Sequence, residues 1–117
     1  MARFGLLIAT NGKWANTQIV SQNFLKEATS TSQNTNNSYG YLWWLNEKPN
    51  YRLPQIQAEL NRELIPNAPT NMYSDLGKND QKIHIVPSKK LVVSEWENLQ
   101  KTPILHCLIL IMIYVNN

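Results

Sequence analysis

Between Met72 and Val93 the chain reads MYSDLGKNDQKIHIVPSKKLVV, and its apolar and polar positions fall into three short runs. Met72 to Leu76 alternates, Gln81 to Val86 alternates again, and Leu91 to Val93 is a third apolar run. Period-two alternation predicts half-buried strands, and the polar breaks Gly77–Asp80 and Pro87–Lys90 predict the turns between them. Ile83, Ile85 and Val86 suit a pleated surface, while Pro87 removes a donor where the second strand must stop. Gly77, Asn79 and Asp80 tolerate the positive φ that a tight turn requires. The pattern therefore predicts an antiparallel meander.

Helical spacing governs the start of the chain. Met1, Phe4, Leu7 and Ile8 recur at the interval of one helix face, and Asn11-Gly12 supplies the stop. A turn through Ala15-Asn16-Thr17 leads to Ser21, an N-cap for a second helix over Gln22–Ala28 with Phe24, Leu25 and Ala28 inward. Thr29 to Asn37 is all Ser, Thr, Gln and Asn, which cannot build a core, and reads as a surface loop. Tyr39 to Leu45 is dense in aromatics. As a strand it sets Tyr39, Tyr41 and Trp43 on one side and Gly40, Leu42 and Trp44 on the other, so both faces need cover. The two tryptophans read first as core; the functional alternative is one wall of a ligand cleft, since aromatic side chains offer large apolar area at small entropy loss. Gln55 to Ile65 has weak helical character through Ile56, Leu60 and Leu64, and Pro66 and Pro69 end it.

Composition changes this picture little. The chain has 117 residues and a formal net charge of +3, enough for one small domain with a core. Its lysines and arginines are scattered, with only Lys89 and Lys90 adjacent, so the basic stripe that nucleic-acid binding demands is missing. Cys107 stands alone, which excludes a disulfide framework and a cysteine metal site. Neither a metal nor another cofactor is expected. The short apolar run Phe4 to Ala9 is not expected to act as a secretory leader.

The meander, with its Leu76-Gly77, Gln81 and Val86-Pro87-Ser88-Lys89, resembles the strand that edges the active site of β-lactamase-type serine hydrolases and the strand after it. Those are the class C β-lactamases, the D-alanyl-D-alanine carboxypeptidases and related esterases. Met1–Trp14 and Ser38–Asn46 match the same family in the same order. The resemblance implies an α/β (α+β) fold, an antiparallel sheet packed by helices, forming part of a penicillin-binding transpeptidase-like domain over residues 1–93. It implies acyl-enzyme hydrolysis of a small ester or amide, or of a peptide, by the parent protein. It also places Asp75-Leu76-Gly77 where β-lactamases carry Lys-Thr-Gly. An acid there repels a substrate carboxylate and favours a neutral ester or amide. The resemblance makes Asp75, Leu76, Gly77, Lys78, Tyr39 and Trp43 a substrate-binding and oxyanion wall, with the Lys78 N–H as one donor to the oxyanion.

The nucleophile of that chemistry is absent. A serine and a lysine one helical turn apart require Ser-x-x-Lys, and no serine of the chain has a lysine three residues later. His84 alternates with Ile83 and Ile85 and reads as a surface or cross-strand residue. After Val93 the pattern changes: residues 94–117 form a separate tail, polar to Thr102 and then apolar from Ile104 to Val115, shorter than the roughly 20 residues of a membrane span. Codons for Ser94 onward, read one base earlier, can spell Ile-Arg-Met-Gly-Glu, which resembles the family's last strand. A single-base frameshift near Val93 and Ser94 is therefore expected. Two further classes stay open: a small binding module using the Tyr39–Trp44 aromatics, and a small protein anchored at a membrane by Ile104–Val115.

Overall fold

A computed structural model describes residues 1–78 and 81–95 in full and residues 111–114 by their backbone. The architecture is α+β, two helices with antiparallel sheets.

Helix α1, Ala2–Ala9, buries Gly5 and Ile8. Met1 and Phe4 remain about half exposed, so the inward stripe runs one position from the one spacing alone suggests. The reason is Gly5, which has no side chain and lets the helix lie directly on Val92 and Ile83. Asn11 and Gly12, at φ 55 and 78, end the helix in the left-handed region as expected. Strands β1, Lys13–Trp14, and β2, Thr17–Gln18, then pair around the two residues Ala15 and Asn16. Helix α2, Gln22–Ala28, starts at Ser21, whose Oγ accepts the Phe24 N–H at 3.4 Å. Leu25 and Ala28 turn inward as predicted, but Phe24 does not. It is 51% exposed and its ring lies against Tyr41.

The aromatic stretch is not the single interior strand that alternation predicts. Leu42 adopts φ 67, the Gly40 N–H donates to the Trp43 carbonyl at 2.8 Å, and Tyr39 bridges back to Trp44. Gly40 is pressed against the end of α2, where an added Cβ would collide with the Ala28 carbonyl, and the Tyr41 N–H donates to that same carbonyl. The chain must reverse there. Only Trp44–Leu45, strand β3, enters the main sheet. Residues 46–72 follow as an irregular excursion, and the weak helical pattern of 55–65 forms no helix. Pro54, with Gln55 at φ 66, breaks it, and a bridge between Tyr51 and Leu60 takes its place. Buried Asn46 organises the return, accepting the Ile65 N–H at 2.8 Å and donating to the Ile65 and Pro69 carbonyls.

The meander forms where the alternation places it. Strands β4, Tyr73–Leu76, β5, Lys82–Val86, and β6, Leu91–Glu95, are consecutive antiparallel neighbours. Pro87–Lys89 makes one turn of 3-10 helix and Lys90, at φ 49, completes the reversal. Strand β7, Ile111–Tyr114, pairs with β6, giving the order β3-β4-β5-β6-β7. Strand β6 continues two residues beyond Val93 through Ser94 and Glu95. Residues 96–110 and 115–117, with His106, Cys107 and most of the expected anomalous tail, lie outside the described residues, as do Asn79 and Asp80 of the first turn.

The core is the layer between α1 and one face of this sheet. Ile83, Ile85 and Val92 point towards the helix and meet Ile8, Leu25, Ala28, Trp43 and Leu45. At roughly 1.5–3 kcal/mol for each large apolar side chain buried, this layer is the main source of stability. Ser74, His84 and Val93, paired across β4, β5 and β6, carry the opposite face.

Candidate functional site

Register sets what β4 can present. Trp44 and Leu45 of β3 pair with Ser74 and Tyr73, so Asp75 and Leu76 extend past the end of β3. Among the described residues no strand covers their outer flank. On the inner side the Gly77 N–H donates to the Gln81 carbonyl at 2.7 Å. Backbone polarity alternates along an antiparallel ladder, so the Leu76 N–H and C=O point to the uncovered flank. Gly77 and Lys78 are exposed, whereas Asp75 and Leu76 are half-buried. Burial raises the Asp75 carboxyl above its ordinary range.

Gly77 has a different role from the one predicted. It is not at positive φ, since Gly12 is the described glycine that adopts it. An added Cβ at Gly77 would instead meet the Gln81 carbonyl oxygen at 3.3 Å, a close backbone approach across the turn.

The six predicted wall residues do not converge. Asp75 to Lys78 follow one another along the open flank. Trp43 lies 5% exposed in the core, stacked on Phe4 at 6.3 Å and edge-on to Tyr73 at 5.3 Å. Tyr39 packs edge-on against Trp44 at 4.9 Å, and Trp44 shares its face with Ser74, away from α1. The positive φ of Leu42 breaks the alternation that would have kept Tyr39 and Trp43 together. Tyr73 between these groups has its phenol pushed up to about 12 by burial.

Two features escape a reading of the sequence. The first is a polar row on the sheet face opposite α1. Ser74 Oγ lies 2.7 Å from His84 Nδ1, and His84 Nε2 lies 4.0 Å from Glu95 Oε1. Lys82 flanks the row, with Nζ 3.6 Å from Glu95 Oε2. Burial lowers the His84 pKa, with Glu95 opposing and Lys82 assisting. The three residue types match a nucleophile, base and acid, but Ser74 is 1% exposed and no substrate carbonyl can reach its oxygen. The row is a cross-strand tie. Alternation shows that His84 faces away from Ile83, but the tie needs the register, which pairs Ser74 with His84 and Lys82 with Glu95.

The second is a cleft of about 680 Å³ beside Tyr39 and Trp44. It is lined from two loops, residues 33–36 and 52–57, together with Tyr39 and Trp44. Among the described residues no cluster of three or more His, Cys, Asp or Glu is placed to hold a metal ion, and no helix is long and apolar enough to cross a membrane. Compared with protein-family models, curated proteins and solved structures, the chain matches none.

Proposed function

We propose that this chain is the substrate-wall portion of a β-lactamase-type serine hydrolase domain and that by itself it turns over neither esters nor β-lactams. The observation that carries the reading is the uncovered flank of β4 at Asp75–Lys78, at the end of an antiparallel sheet whose other face is packed by α1. Backbone amides on such a flank can hold a substrate or an oxyanion whatever the side chains are. A nucleophile, however, must come from a Ser-x-x-Lys helix, which is not in this chain. The acid at Asp75 disfavours an anionic substrate and leaves a neutral ester or amide as the fitting class for the whole domain.

The test is turnover of a p-nitrophenyl ester and of a chromogenic β-lactam by the purified chain, beside Asp75→Ala and Lys78→Ala variants. Background hydrolysis, equal in all three proteins, is the expected result. Hydrolysis that saturates with substrate and falls in either variant overturns the proposal. Sequencing the surrounding locus supplies a second arm: an upstream Ser-x-x-Lys in the same frame supports the reading, and an isolated frame ending in the present tail removes its basis.

A second reading, a non-catalytic binding module that uses the Tyr39–Trp44 aromatics, is favoured by the cleft that Tyr39 and Trp44 help to line.

A further inference from the structure

The cleft beside Tyr39 is a built feature, because the loops forming its walls are tied to each other. Asn36 Oδ1 accepts the Arg52 N–H at 3.3 Å, and Asn36 Nδ2 donates to the Arg52 carbonyl at 2.9 Å. Ser38 Oγ donates to the Asn50 carbonyl at 2.6 Å, and the Tyr51–Leu60 bridge closes the outer loop. Both walls are therefore held before any ligand arrives, which lowers the ordering cost of binding.

The one charged group lining the cleft is a donor. Arg52 Nη2 donates to Glu59 Oε2 at 3.1 Å, and among the described residues no other group bonds the guanidinium, which is 44% exposed. Gln33 Oε1 accepts the Thr35 hydroxyl at 2.7 Å, and the N–H groups of the same amide have no partner among the described residues. No acid lines the cleft, and Arg52 is its single charged lining residue. One delocalised cation with spare N–H groups fits one carboxylate. Tyr39 and Pro54 offer flat apolar surface beside it, which suits a planar apolar body and not a second charge.

We propose that this cleft binds a planar apolar monocarboxylate, with the carboxylate on Arg52 and the Gln33 amide and the apolar body along Tyr39 and Pro54. The proposal deepens the binding-module reading and needs no part of the hydrolase one. No residue of β4 takes part, so failure of one leaves the other standing.

The test titrates the full chain with naphthoate and, separately, with naphthylmethanol, the neutral probe of the same shape, by ligand-observed NMR. Naphthoate should bind more tightly than the alcohol. Arg52→Gln should weaken naphthoate by about tenfold or more, the size of one charge-assisted contact, and leave the alcohol unchanged. Glu59→Gln removes the carboxylate that competes for Arg52 and should tighten naphthoate severalfold, a gain that loss of structure cannot produce. Equal affinity for the two probes, no binding of either, or indifference to both substitutions overturns the proposal. Displacement of naphthoate by inorganic phosphate at equal concentration also overturns it, since the apolar body would then contribute nothing.

Discussion

Gly5→Ala is the sharpest probe of how α1 sits on the sheet. In an isolated helix this exchange stabilises by about 1 kcal/mol, because alanine loses less backbone entropy on folding. Here the new Cβ would stand 2.6 Å from Val92 Cγ1 and 2.9 Å from Ile83 Cγ2. Both neighbours are sheet residues, 0% and 3% exposed, with no open space to move into. Overpacking a closed core costs about 1–3 kcal/mol, and two simultaneous overlaps put this case at the upper end. The net expectation is a loss of about 1–2 kcal/mol, the opposite sign from helix propensity alone.

Val92→Ala provides the internal control because it deletes Cγ1, the atom in the shorter overlap. Alone it removes two methyl groups from the core and should cost about 2–3 kcal/mol, transfer and cavity together. In that background Gly5→Ala should become nearly neutral or stabilising, which gives a coupling of about 1–2 kcal/mol between the sites. Urea unfolding followed by far-ultraviolet circular dichroism measures all four corners of the cycle. A Gly5→Ala protein as stable as the parent, or an equal cost in both backgrounds, refutes the packing described for α1.

Four other outcomes follow from the same contacts. The Asn46→Ala chain should lose about 2–3 kcal/mol, since the Ile65 N–H and the Ile65 and Pro69 carbonyls lose their shared partner; unchanged hydrogen-exchange protection at Ile65 contradicts this. Ser74→Ala should cost about 1–2 kcal/mol by leaving His84 Nδ1 without its partner, and an unaltered urea midpoint argues against the tie. His84 has a folded pKa below its ordinary 6.5, so the unfolded chain takes up the proton first. Its contribution is intact above that value and is lost as pH falls from there through the folded pKa. Glu95→Gln should lower it further, and a His84 ring seen by NMR to titrate above 6.5 refutes the burial argument. Tyr73 runs in the alkaline direction. With its phenol raised from 10.0 to about 12, the unfolded chain ionises first and stability falls as pH rises across that interval, by at most about 3 kcal/mol. Tyr73→Phe should remove this limb, and an alkaline profile identical to the parent's excludes Tyr73 as its source.

The first two strands of the meander are legible because each alternates and then meets a breaker, whereas the third shows only the apolar run Leu91–Val93, and its extension through Ser94 and Glu95 comes from pairing with Ile83 and Lys82. The second helix was readable for a similar reason, with a cap at Ser21 and a stop past Ala28. The aromatic stretch failed because the deciding contact is not local. Gly40 meets the Ala28 carbonyl at the end of α2, and no period within residues 39–45 contains that information. Phe24 failed for a related reason: a helix with Leu25 and Ala28 inward has space for a third apolar residue only if something covers it, and here Tyr41 does so only in part. The open flank of β4 was anticipated as a location, but the wall drawn around it was too wide. Tyr39 and Trp43 were joined to Asp75–Lys78 by a strand geometry that Leu42 does not adopt.

Splitting that wall yields two surfaces with opposite preferences. Under the hydrolase proposal the β4 flank carries the half-buried Asp75 carboxyl, whose charge would oppose a carboxylate ligand, three residues before the exposed Lys78. In the cleft the single charged lining residue is Arg52, whose guanidinium keeps spare N–H groups. If both proposals hold, a ligand that is neutral at its reacting carbonyl and anionic at a distant apolar end would satisfy both surfaces. One that carries its charge beside the carbonyl would suit neither proposal, since Asp75 would oppose it on the flank and Arg52 would draw it to the cleft. Charge placement therefore discriminates the two sites more sharply than size does. Carboxylate esters differing only in the position of the acid are the series that would reveal whether the surfaces serve one ligand or two.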